Sequence, residues 1–141
     1  MNWVRYLHIN QLSRNELWIR VGHGLLNILH HIGAASSLAS EPGAVAREYM
    51  EHVGSAVKAG YPPADLIVRA HRHKPIEVRW PRKGCRTGGV VTAGWQLKTP
   101  FAWKLAGVRT RATDVGGLVI EWKGDKVNGD LLCHHHVRPV E

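Results

Sequence analysis

A chain of 141 residues, 44% apolar and 21% charged, has the makeup of an ordinary globular protein rather than a disordered one, and its length argues for one domain over 1–141, or a piece of one. Two cysteines, Cys85 and Cys133, are too few for a disulfide scaffold and are expected to be reduced structural thiols. The formal net charge of +8 favours phosphate-bearing partners, nucleic acid among them, although no zinc-finger or helix-turn-helix signature accompanies it.

No apolar run approaches the roughly 18 residues of a membrane span. The start, Met1-Asn2-Trp3-Val4-Arg5, lacks the apolar core of a secretory signal, so a cytoplasmic location and no membrane partner are expected. In chain order, residues 1–18 have mixed polarity and suggest no element. Residues 17–32 are strand-like, and Gly22-His23-Gly24 punctuates them as a tight hairpin or a bulge. A small-residue loop runs from Gly33 to Ser40. Ser40 is a candidate cap, and Pro42 suits a first helical turn. Val45, Tyr49, His52 or Val53, and Val57 then recur at helical spacing, and Gly60 fits the stop. This predicts an amphipathic helix over 42–59.

Residues 65–70, Asp-Leu-Ile-Val-Arg-Ala, predict a short buried strand. Further strands are expected over Glu77–Trp80, Gly89–Gln96, Gly117–Trp122 and Val127–Val137, with a turn at Lys123-Gly124-Asp125. Strand–helix–strand implies a parallel pair with a crossover helix on one face. The later strands imply a C-terminal β-meander that extends or pairs with the same sheet. The expected class is a mixed α/β fold.

Three groups of histidines stand out: His30-His31, His71 with His73, and His134-His135-His136. In parallel α/β sheets, ligands bind beyond the carboxyl ends of the strands. The first two groups each follow a predicted strand, and one helix separates them, so the crossover would bring them to one edge. Neutral imidazole is a common transition-metal ligand. An isolated pair of this kind is more often incidental; placement is what favours a site. His134–His136 sit on a predicted strand, where side chains alternate, so the three do not face one ion. Weak adventitious metal binding is their expected role.

Leu29-His30-His31-Ile32-Gly33 resembles the strand-end histidine motif of the calcineurin-like metallophosphoesterases. Arg69-Ala70-His71-Arg72-His73 resembles the family's late G-H-x-H, with alanine in place of glycine. The segment from Val91 through Gly94-Trp95 to Phe101 is similar to phage and prophage members. The resemblance covers roughly residues 19–122 and corresponds to the C-terminal half of such a domain. It implies part of a calcineurin-like phosphoesterase sandwich and a metal-dependent hydrolase of phosphate esters, nucleotide or nucleic-acid derived ones included. His30 and His71 would serve one metal and His73 a second, with His31 beside them. Arg69 and Arg72 would contact phosphate. The cofactor would be manganese, iron, zinc or nickel.

The family's early D-x-H, G-D-x-x-D and G-N-H-D/E motifs do not occur, and no aspartate precedes Asp65. A bridging carboxylate offsets cation repulsion in a two-metal site. Three neutral imidazoles instead suit one ion with open positions. A truncated phosphoesterase is therefore expected, with little activity in the isolated chain. A non-catalytic basic protein that binds metal or nucleic acid is the alternative. Half a sandwich would also expose an apolar sheet face, which calls for a homodimer or a partner chain supplying the missing half.

Overall fold

The computed structural model describes residues 16–33, 35, 37–82, 84–95 and 114–138. Residues 1–15, the Gln96–Phe101 part of the phage-like segment and the basic cluster at 98–111 lie outside that range. β1 (Glu16–Val21) and β2 (Gly24–Leu29) form an antiparallel hairpin closed by Gly22-His23. Gly22 takes φ 59, the left-handed conformation that a two-residue turn requires.

α1 (Glu41–Ala59) follows a short 3-10 turn at Leu38–Ser40. Pro42 opens it and Gly60 closes it, as the sequence suggests. Ser40 occupies the N-cap position without a side-chain cap hydrogen bond; its hydroxyl donates to the Ser37 carbonyl at 2.8 Å. Ala44, Val45, Tyr49 and Ala56 are the buried face. Val57, expected on that face, is 66% exposed. It lies twelve residues beyond Val45, about 120° further round the helix, and Ala56 takes the inward position.

β3 (Leu66–Arg69) returns parallel to β2, with Leu26 opposite Leu66 and Leu29 opposite Arg69. β4 (Ile76–Trp80) and β5 (Thr87–Val91) follow, and β5 inserts parallel to β3. The sheet order is β1-β2-β3-β5-β4. β6 (Val115–Gly124) and β7 (Gly129–Arg138) pair only with each other as a ladder. The class is mixed α/β: a mixed sheet, one α-helix among the described residues, and a C-terminal hairpin.

Because side chains alternate along a strand, the sheet has two apolar faces. Ile67 and Val91 face α1, where they meet Tyr49 and Val45. Leu26, Leu66, Val68 and Val90 face the other way. There Leu131, Leu118, Ile120 and Trp122 of the hairpin cover them. Arg79 fastens the hairpin to β4, donating from Nη2 to Asp130 Oδ1 at 3.1 Å and to the Leu131 carbonyl at 2.5 Å. Two sequence expectations are corrected here. The last strands do not join the main sheet; they lie across it. By doing so they cover apolar surface that half a sandwich would have left bare.

His52, on α1, accepts the Ala64 backbone N–H on Nε2 at 3.0 Å. Burial lowers its pKa below 6.5, and the nearby Arg69 charge lowers it further. The unfolded chain therefore binds more protons below about pH 6.5, so stability is full above that pH and falls as the pH drops. His71, also lowered, acts in the same direction. Urea midpoints at pH 7.5 and pH 5 check this. The His52→Gln variant should lose less stability over that interval than the parent, and equal losses would contradict the assignment.

Candidate metal centre

The site is a consequence of the β2–β3 register. Leu29 and Arg69 are partners at the carboxyl ends of parallel strands, and the Ala70 N–H donates to the His30 carbonyl at 3.1 Å. His30 and His71 therefore leave the sheet side by side. Their ring centroids are 5.4 Å apart. His31 completes the group, 4.9 Å from each of them. One ring nitrogen from each of the three histidines lies within 4.8 Å of the others, and all three side chains are exposed. Ile32 fixes the bend after β2 by packing beneath α1 with Val45 and Val91.

The segment after β3 is not extended. His71 and His73 both take positive φ, 69° and 54°. Histidine is among the residues that tolerate this region, but the conformation still costs about 1 kcal/mol or more. His71 joins the triad, whereas His73 lies outside it and packs on the bare Gly94, where a Cβ would come within 2.7 Å of its ring. The His73 carbonyl also accepts the Asp114 N–H at 3.0 Å. His71 holds its proton weakly, first because of desolvation and then because His31, His30 and His73 crowd it with like charge. That favours the neutral imidazole a metal requires.

The two arginines have other partners. Arg69 is 3% exposed, and its Nε pairs with Glu48 at 2.9 Å. Its Nη1 donates to Asn27 Oδ1 at 3.0 Å and to the Asn27 and Val68 carbonyls. This arrangement does not favour the phosphate contact expected of Arg69: its guanidinium is buried on the α1 face, with Nε and Nη1 engaged. Arg72 pairs with Glu41 at 3.3 Å and donates to the Gly33 carbonyl. It thus clips the segment carrying His31 to the first turn of α1.

The C-terminal histidines alternate as their strand requires. His134 pairs outward with Glu121 at 3.1 Å, while His135 turns toward Glu77 of β4 at 3.8 Å. Neither they nor His136 join a metal-type cluster among the described residues. Both thiols are unbridged, and burial pushes Cys133 up to about 11, which makes it unreactive.

The triad suits one divalent transition ion. Nitrogen donors about 2.0–2.1 Å from a tetrahedral ion lie about 3.3 Å from one another, so small rotations of exposed side chains would close the set. No carboxylate belongs to it among the described residues. A second ion would lack the bridge that offsets cation repulsion. Beside the triad lies a cleft of about 660 Å³, which His30, His71 and His73 border. Ile28 and Val68 of the sheet form one wall, and Leu118 and Ile120 of the hairpin form the other. Trp95, 84% exposed, stands at its rim. Neither the cleft nor the place of His31 beside both His30 and His71 is evident from the sequence. Consecutive histidines signal only that two imidazoles are near, not which way the chain bends after the strand.

No family model matches the chain. No curated protein matches it either. Among solved structures, a single mutant of Vps29 from Entamoeba histolytica is similar, at a TM-score of 0.45 and 10% identity over 92% of this chain. The chain spans 64% of the length of that structure.

Proposed function

We propose that this chain is a domain of the calcineurin-like phosphoesterase type that binds one divalent transition metal through His30, His31 and His71. Its ligand is a phosphate ester. The convergence of these three imidazoles at the shared carboxyl edge of β2 and β3 carries the reading. The order of the motifs Leu29–Gly33 and Arg69–His73 along the chain supports the family. A bound ion would supply Lewis-acid polarisation of a phosphoryl oxygen. The chain's own part is to hold three imidazoles at one edge, with partial desolvation weakening the His71 proton and Arg72 fixing the His31 segment. His73, on the cleft wall, would meet the ligand rather than the same ion.

The all-imidazole donor set favours a second reading, in which the domain binds its phosphate ligand without turning it over. The basic composition is compatible with nucleic acid in that role. One experiment separates the readings. Purified chain should retain about one zinc or manganese ion, and the triple His30→Ala/His31→Ala/His71→Ala variant should retain none. Turnover of p-nitrophenyl phosphate with manganese should be near background. Robust turnover abolished by His71→Ala would instead assign a working hydrolase, and full metal retention by the triple variant would sink the site.

A further inference from the structure

The histidines account for one border of the cleft and leave its interior unexplained. The opposing walls, Ile28 and Val68 against Leu118 and Ile120, offer no hydrogen-bonding side chain. Thr92 is the polar exception, and its hydroxyl already donates to the Ala93 carbonyl at 3.0 Å. No lysine or arginine lines the cleft among the described residues. A sugar or a second phosphate placed there would lose water without gaining a partner. A volume of about 660 Å³ is, however, that of an ordinary small-ligand pocket. At the rim the Trp95 indole lies open and beside Gly117, where an added Cβ would stand 3.4 Å from the ring. Exposed indole next to bare backbone is a face on which a flat ring can stack.

We propose that the cleft seats an apolar, ring-bearing substituent of the phosphate ester, so that the ligand is an aryl-type monoester rather than a polyanionic backbone. This rests on the His30–His31–His71 metal site, which would hold the phosphoryl end while the ring lies between the sheet and the hairpin.

The test uses the full chain loaded with zinc and two probes, phenylphosphonate and methylphosphonate, titrated by calorimetry. Both carry the same head group, and only one carries a ring. Phenylphosphonate should bind at least about tenfold tighter, as expected for burying most of a ring at about 25 cal/mol per Å². Gly117→Leu, which fills the space beside Trp95 without entering a strained φ, should erase that advantage. It should leave zinc stoichiometry and methylphosphonate affinity unchanged. Trp95→Ala, at an exposed position that the fold does not need, should reduce the advantage several-fold and carries the test if Gly117→Leu misfolds. Equal affinities for the two probes, with zinc bound, overturn the cleft assignment and leave the metal site standing. A ring preference untouched by either variant overturns it as well. Absence of zinc binding overturns the metal site and the cleft assignment together.

Discussion

Replacing Arg69 with methionine is expected to destabilise the fold by about 3–5 kcal/mol, the range for breaking a buried charged network from one side. The guanidinium joins β3 to α1 through Glu48 and to β2 through Asn27. Methionine fills most of the volume, so the loss is chiefly electrostatic. It strands Asn27, which is 1% exposed and whose other amide atom is held by Glu16 at 2.6 Å. Glu48 keeps some contact with water, its side chain being 20% exposed, which places the expectation toward the lower end. Domains of this size are stable by about 5–15 kcal/mol, so the loss is a large fraction of the total. Urea denaturation measures it. The double variant Arg69→Met/Glu48→Gln should recover part of the loss by leaving no unpaired charge. A single-variant cost below about 1 kcal/mol would return Arg69 to the pool of solvent-facing groups and reopen its phosphate role.

The second large effect is on metal affinity. His30→Ala, His31→Ala and His71→Ala should each weaken zinc binding by more than about 100-fold, beyond the 10–100-fold range typical of groups that only support a ligand. His73→Ala should fall within that supporting range or below it. The contrast between His31 and His73 is what discriminates. In a two-metal arrangement implied by family resemblance, His73 is a ligand and His31 a neighbour, so the order of effects would reverse. Competition titrations against a zinc-sensitive dye give all four affinities on one scale.

The strand–helix–strand core was legible because its signals are local. Leu66-Ile67-Val68 is an uninterrupted apolar run, and Pro42 and Gly60 punctuate α1. The edge where His30 and His71 meet followed from topology alone, since parallel strands joined by a crossover end on the same side. Three features were not legible because each depends on partners distant in the chain. Arg69 has the pattern of a solvent-facing strand end. Its burial is decided by Glu48 and Asn27, 21 and 42 residues away. The hairpin shows its alternation plainly in Leu118, Ile120 and Trp122, but alternation identifies an apolar face and not what the face will cover. That His31, and not His73, stands grouped with His30 and His71 goes with the bend after Leu29 and the left-handed backbone of His71 and His73, beside Ile32 and Gly94.

One measurement tests the metal centre most directly: an anomalous difference map, at the zinc edge, from crystals of the zinc-loaded chain. One peak per chain is expected at the carboxyl edge of β2 and β3, about 2.0–2.1 Å from a nitrogen of each of His30, His31 and His71. A peak on His134 or His136 of β7, with none at that edge, would contradict it.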